Sequence, residues 1–197
     1  MQQASFDNNT ICAISSPPGT GGVALIRVSG ENAINICGGL VNKPLKDAEG
    51  YSTRFCTLSY KEKILDDVVV TIFKNPHSFT GEDVVEITCH GSEYVQKQIL
   101  EALIDRGCTM AQPGEFSQRA FLNGKMDLSQ TEAIADLIHA RSAAAHEVAI
   151  KQMKGGFSSE LKTLRAQLIH FASLVELELD FSEEDVEFAD RKELYKL

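Results

Sequence analysis

QPGEFSQRAFLNGKMDLSQTEAIADLI, Gln112 to Ile138, is where the sequence changes its period. Upstream, short β-branched segments are bounded by Gly, Pro, Asn or charged turns: Ile11–Ser15, Gly22–Val28, Arg54–Tyr60, Ile64–Phe73 and Val84–Cys89. Glu31–Leu40 and Glu93–Asp105 have helical spacing. Helices do not separate the strands regularly, so the expected class is α+β with a largely antiparallel or mixed sheet. Downstream, the spacing predicts helix throughout. Ser129 with Glu132 reads as a capping box, and Ile134, Leu137 and Ile138 set an apolar face. Gly155-Gly156 predicts a break. After it, Phe157, Leu161, Leu164, Leu168, Phe171 and Val175 recur every three or four residues, the seam of packed helices. The seam is short, which favours a helical bundle packing on itself over an intermolecular coiled coil. It calls for more partner helices than the chain offers, and Tyr195-Lys196-Leu197 carries no Gly or Pro stop signal. The expectation is a fragment of a longer protein. The predicted division is a sheet domain over 1–119 and the first segment of an all-α bundle over 120–197. Asn123-Gly124-Lys125 is a turn at that seam carrying one exposed cation.

The composition, 43% hydrophobic and 24% charged, suits a globular chain with a real core. The net charge is −9, with 14 acids and 9 bases in residues 1–118 and 14 acids and 10 bases in 119–197. Neither half is basic, so a broad nucleic-acid footprint is excluded and any RNA contact must be local or supplied elsewhere. Residues 176–190 hold eight acids and no base, which reads as a solvated acidic edge. The five cysteines, Cys12, Cys37, Cys56, Cys89 and Cys108, show no CxxC spacing, which argues against a disulfide framework or a zinc site. MQQASFDNNT has neither a basic nor an apolar signal region, and no 18-residue apolar stretch exists. The expected location is the cytoplasm, away from membranes.

Two residues break the local rule. In Gly22–Val28, alternation puts Val23, Leu25 and Arg27 on one face and Ala24, Ile26 and Val28 on the other. Both faces are apolar except at Arg27. In Val84–Cys89, Glu86 interrupts an apolar face with the opposite sign. A charge there is costly unless paired or at a cleft edge. Either the two pair internally, or they meet a polar ligand such as one presenting an N–H/NH₂ edge to a carboxylate. Ser16–Gly22 is Gly-rich, but a strand follows it and no Gly-Lys-[Ser/Thr] is present, so it reads as a strand-to-strand turn and not a phosphate loop. The histidines form no HxxxH or HExxH pattern, and Cys89-His90 is read as structural.

Three ordered blocks carry a resemblance. Ser16-Pro-Pro-Gly-Thr-Gly-Gly-Val-Ala-Leu-Ile-Arg-Val-Ser-Gly30, Phe79-Thr-Gly-Glu-Asp-Val-Val-Glu-Ile-Thr-Cys-His-Gly91 and the long block from Pro113 to Leu137 resemble the N-terminal portion of the MnmE (TrmE) family of tRNA-modification GTPases. Thr20 stands where the family often has a basic residue. The resemblance implies an N-terminal domain similar to the tetrahydrofolate-binding domain of aminomethyltransferases, then a helical domain into which a GTPase domain is inserted. It implies a homodimer through the N-terminal domain, binding 5-formyl- or 5,10-methylene-tetrahydrofolate. GTP, magnesium and potassium belong to the full-length family member. With an FAD-binding partner protein, that member adds an aminomethyl or carboxymethylaminomethyl group to C5 of the wobble uridine of tRNA. The family's folate motifs fall on Arg27, Glu86 and Lys125. Glu86 would grip the pterin's amino-pyrimidine edge, and Arg27 and Lys125 would meet a carbonyl or the anionic glutamate tail. No catalytic residue or metal ligand is expected in this chain. The alternatives are a dimerisation scaffold in which Arg27 and Glu86 only pair with each other, and a stand-alone folate-dependent aminomethyltransferase.

Overall fold

The computed structural model describes residues 9–180. The chain divides into two units, Met1–Met126 and Asp127–Leu197. In the first unit the elements are β1 (Ile11–Ile14), β2 (Val23–Ser29), α1 (Ala33–Gly38), β3 (Ser52–Tyr60), β4 (Lys63–Phe73), β5 (Val84–His90), α2 (Glu93–Asp105), β6 (Thr109–Met110) and α3 (Glu115–Leu122). The expected seam at 119/120 therefore falls within α3. The sheet order is β3-β4-β5-β2-β1-β6. All neighbours are antiparallel except β1 and β6, giving the mixed α+β sheet expected. β6, a two-residue strand, and α3 are too short for periodicity to announce.

Alternation decides which face is buried. Ala24, Ile26 and Val28 of β2, Val85, Ile87 and Cys89 of β5, and Val68, Val70 and Ile72 of β4 are all buried on one side. α2 adds Ile99, Ala102 and Leu103 to the same cluster, and α1 adds Ala33, Ile34 and Cys37. Each such large side chain contributes roughly 1.5–3 kcal/mol over leaving it in water. All five cysteines are buried and free. Burial pushes the Cys37 thiol up, and the Cys89 thiol up to about 11, so both behave as small hydrophobes. On the opposite face Val23 is exposed and Leu25 and Arg27 are only half-buried, leaving that side open. The Ser16–Gly22 segment does join two strands, β1 to β2. Gly21 N–H donates to the Gly91 carbonyl at 3.1 Å. A Cβ on Gly91 would stand 2.4 Å from the Gly21 carbonyl oxygen, so only glycine allows this backbone approach.

The second unit comprises α4 (Leu128–His139), α5 (Ala143–Met153) and α6 (Gly156–Asp180). The capping box of α4 is two residues earlier than Ser129/Glu132. Asp127 is the N-cap: its Oδ1 accepts from Gln130 N–H at 2.9 Å, and Gln130 Oε1 accepts from Asp127 N–H at 2.9 Å. Asp and Gln fill the two roles as well as Ser and Glu, and Ser129 lies inside the helix with its hydroxyl buried and unpartnered. The buried centre of α4 is Ala133, while Ile138 is 75% exposed. The predicted continuous helix is interrupted before Gly155, because Ser142 caps α5 by accepting from Ala145 N–H. Gly155, at φ +80°, makes the break before α6. Along the α6 seam Phe157, Leu161 and Leu168 are exposed. The acidic run beyond Asp180 and the Tyr195–Leu197 end lie outside the described residues.

The Ser158 hydroxyl, and then the Gln130 amide, hold the Asp127 carboxyl below the usual carboxylate range. The cap contribution is therefore complete above the ordinary value of about 3.9 and is lost as pH falls below it through the folded-state value. Asp127→Ala should cost the helical unit about 1 kcal/mol. Amide exchange protection of the first turn of α4 checks this: relative to intrinsic exchange it should fall in the unmutated chain as pH drops below about 3.9 and show no such fall in the variant.

Candidate functional site

The β2–β5 register places Arg27 directly opposite Glu86, with Ala13 and Thr71 completing the row. Arg27 donates from Nε to Oε1 of Glu86 at 2.9 Å, and its Nη2 lies 2.8 Å from the same oxygen as an ion pair. The two side chains are 23% and 22% exposed. Among the described residues no donor reaches Glu86 Oε2. Arg27 thus engages one oxygen of the Glu86 carboxylate and leaves the other without a donor among the described residues. Two aromatic rings flank the guanidinium, Phe79 with its centroid 5.3 Å away and Phe116 at 5.6 Å. Both distances allow cation–π attraction. Phe79 comes from the loop between β4 and β5, and Phe116 from α3.

That loop and α3 are tied together by buried polar contacts. Arg119 of α3 is buried. Its Nη1 donates to Glu82 Oε1 at 3.1 Å and Oε2 at 3.2 Å, and its Nη2 donates to Glu115 Oε1 at 3.0 Å and to the Asn9 carbonyl at 2.9 Å. Ser29 donates to Glu82 Oε2 at 2.7 Å and lies 2.7 Å from the Thr80 hydroxyl. Asn123 donates to the Thr80 carbonyl at 2.7 Å, and Lys125 Nζ to the Pro76 carbonyl at 2.8 Å. Lys125 is thus placed against the loop that carries Phe79. It makes no hydrogen bond to Arg27 or Glu86. Elsewhere on the sheet, exposed His90 holds its Nδ1 2.6 Å from Asp66. No group of three or more His, Cys, Asp or Glu able to hold a metal exists among the described residues.

The sequence reading missed Phe79, Phe116 and Arg119 as parts of this site. The Glu115/Arg119 pair was visible at helical spacing. Glu82, the partner that makes it a tertiary tie, is distant in sequence and could not be paired with it by pattern.

Residues 10–125 match the family model described as GTP-binding protein TrmE N-terminus, and residues 128–197 match that of the MnmE helical domain. The chain belongs to the MnmE (TrmE) family. A Parabacteroides distasonis protein named tRNA modification GTPase MnmE is 57% identical over 96% of this chain and 42% of its own length. Proteins of the same name from Bacteroides fragilis and Porphyromonas gingivalis are 55% and 50% identical, each over 98% of this chain and 42% of their own length. The chain therefore spans about 42% of the length of these MnmE relatives. The TrmE N-terminal match contains Arg27, Phe79, Glu86, Phe116, Arg119 and Lys125.

Gly81 sits at φ +79°, where an added Cβ would lie 3.2 Å from Asn123 Cβ and from Cγ and Cδ of Lys125. Gly81→Ala should cost about 1–2 kcal/mol from the left-handed backbone alone. A lowered denaturant midpoint with an unchanged slope is the expected result.

Proposed function

We propose that this chain is the folate-binding and dimerising part of a tRNA-modification GTPase. The observation that carries the reading is the Arg27–Glu86 pair on the open sheet face, with Glu86 Oε2 free and two aromatic rings beside it. This fits a flat heterocycle that offers N–H donors. A carboxylate has four lone-pair positions, and Arg27 occupies only Oε1. Glu86 would accept from the amino-pyrimidine edge of 5-formyl- or 5,10-methylene-tetrahydrofolate. Phe79 and Phe116 would offer ring faces. Lys125 spends one of its three donors on Pro76 and keeps two for the anionic tail. The bound folate supplies the one-carbon unit.

In the longer protein, a GTPase domain using magnesium and potassium would work with an FAD-binding partner. Together they would add an aminomethyl or carboxymethylaminomethyl group to C5 of the wobble uridine of tRNA in the cytoplasm. No helix among the described residues is long and apolar enough to cross a membrane. Support for a homodimer through the sheet unit comes from Phe55 and Val69, paired across β3 and β4, 62% and 37% exposed. Such an apolar pair in water favours a partner surface. The scaffold alternative has one observation in its favour, that Arg27 and Glu86 already satisfy each other in part.

Calorimetric titration of 5-formyltetrahydrofolate into the chain separates the two. Saturable binding is expected, weakened at least tenfold by Glu86→Ala and a few-fold by Lys125→Ala. The Lys125 effect should shrink at high salt because the contact is exposed. A folded, unmutated chain that does not bind, with full-length protein that does not bind either, would establish the scaffold. The purified chain should hydrolyse no GTP, since no Gly-x-x-x-x-Gly-Lys-[Ser/Thr] occurs in it.

A further inference from the structure

We infer that Arg119 is a positioning residue for the Arg27–Glu86 site, fixing the two aromatic rings that hold the Arg27 guanidinium. The inference rests on the ligand reading above only in its binding arm. Phe79 and Phe116 reach Arg27 from separate segments, the β4–β5 loop and α3. Nothing in local sequence keeps these segments together. Arg119 does, because one guanidinium bridges Glu82 of the loop, Glu115 of its own helix and the Asn9 carbonyl. Its side chain is 7% exposed, against 25% for Glu82 and 14% for Glu115. A charge so enclosed is tolerated because every face of its planar fork has an acceptor. Glu82 in turn accepts from Ser29, at the end of β2, the strand that bears Arg27. The network thus connects β2, the loop and α3, the three elements that supply Arg27, Phe79 and Phe116. Arg119 makes no hydrogen bond or ion pair with Arg27 or Glu86, so it acts on them through the elements it ties together.

A rotated or detached Phe79 or Phe116 would free Arg27 to swing from Oε1, and the carboxylate would lose its fixed aim. Two variants test this without removing the cation from between two charged carboxylates. Arg119→Lys keeps the charge, but a single ammonium cannot span the three acceptors. The triple change Arg119→Met, Glu82→Gln and Glu115→Gln removes the charge together with its partners. The ligand-independent readout is the Arg27 side-chain Nε–H resonance in the full chain, displaced by the ring currents of Phe79 and Phe116. Methyl resonances of Ile26, Ile87 and Val70 report whether the core persists. With the core signals unchanged, both variants should move the Arg27 signal toward its unstacked value, and affinity for 5-formyltetrahydrofolate should fall at least tenfold. An Arg27 signal that stays in place while the core is intact would overturn the inference. So would unchanged folate affinity in a variant whose Arg27 signal has moved. If the unmutated chain binds no folate yet the Arg27 signal moves in both variants, the positioning role stands and the ligand reading alone falls.

Discussion

The pairing of β2 with β5, from Val23 opposite His90 to Ser29 opposite Val84, is the constraint on which the rest of the sheet unit depends. It puts Ala24, Ile26 and Val28 beside Cys89, Ile87 and Val85 on the buried face, and leaves Arg27 beside Glu86 on the open one. A slip of β2 by one residue would turn Arg27 toward the core and Ala24, Ile26 and Val28 into water, and would leave Glu86 without its partner. That register is enforced twice, by apolar burial on one side and by the ion pair on the other. Burial contributes more of the energy. A half-exposed ion pair contributes little net stability, because desolvation offsets most of the attraction. The pair is better explained as geometry, a way of holding one carboxylate oxygen so that the other keeps a fixed direction.

The buried cluster around Arg119 follows a different economy. Glu82, Glu115, Ser29, Thr80 and the Asn9 carbonyl surround it, and the arginine's hydrogen-bonding groups find acceptors. Removing one member of such a cluster is costly, commonly 3–5 kcal/mol, since the remaining charge stays buried without a partner. Replacing the whole set by neutral groups of similar size costs far less. The cluster therefore adds specificity of arrangement more than stability. It is placed where the arrangement matters, between the strand, the loop and the helix that meet at Arg27. Asn123 and Lys125 extend the same clamp along the loop through Thr80 and Pro76.

Much of this is legible in the sequence. The five long strands and two of the helices of the sheet unit follow from β-branched runs, turn residues and apolar spacing. Arg27 and Glu86 announced themselves because each is a lone charge in an apolar strand. What was not legible depends on contacts distant in sequence or on segments too short to have a period. β6 has two residues, and α3 has eight, little more than two turns. The α4 cap was misplaced because Asp127-Leu128-Ser129-Gln130 and Ser129-Gln130-Thr131-Glu132 both satisfy the capping pattern, and only the backbone at Asp127, extended at ψ 174°, decides between them. The break before α5 rests on Ser142, a single hydroxyl among alanines. The aromatic flank of Arg27 required knowing that a loop and a helix converge, which no local pattern encodes.

The charge balance limits what this chain can contribute to RNA contact. A surface that neutralises several phosphates needs clustered Lys and Arg, and each neutralised phosphate adds to the salt dependence of binding. This chain carries −9 overall, and the cations singled out in the sheet unit are already engaged: Arg27 with Glu86, Arg119 with Glu82 and Glu115, Lys125 with Pro76. Any attraction for an RNA backbone would then have to come from outside this chain. A small anionic ligand makes lesser demands. One well-placed ammonium suffices for a carboxylate tail, and an acidic surround penalises it only within about a Debye length, roughly 8–10 Å at physiological salt. An acidic chain with a few fixed local cations is thus suited to holding a small anionic cofactor and unsuited to gripping a polyanion by itself.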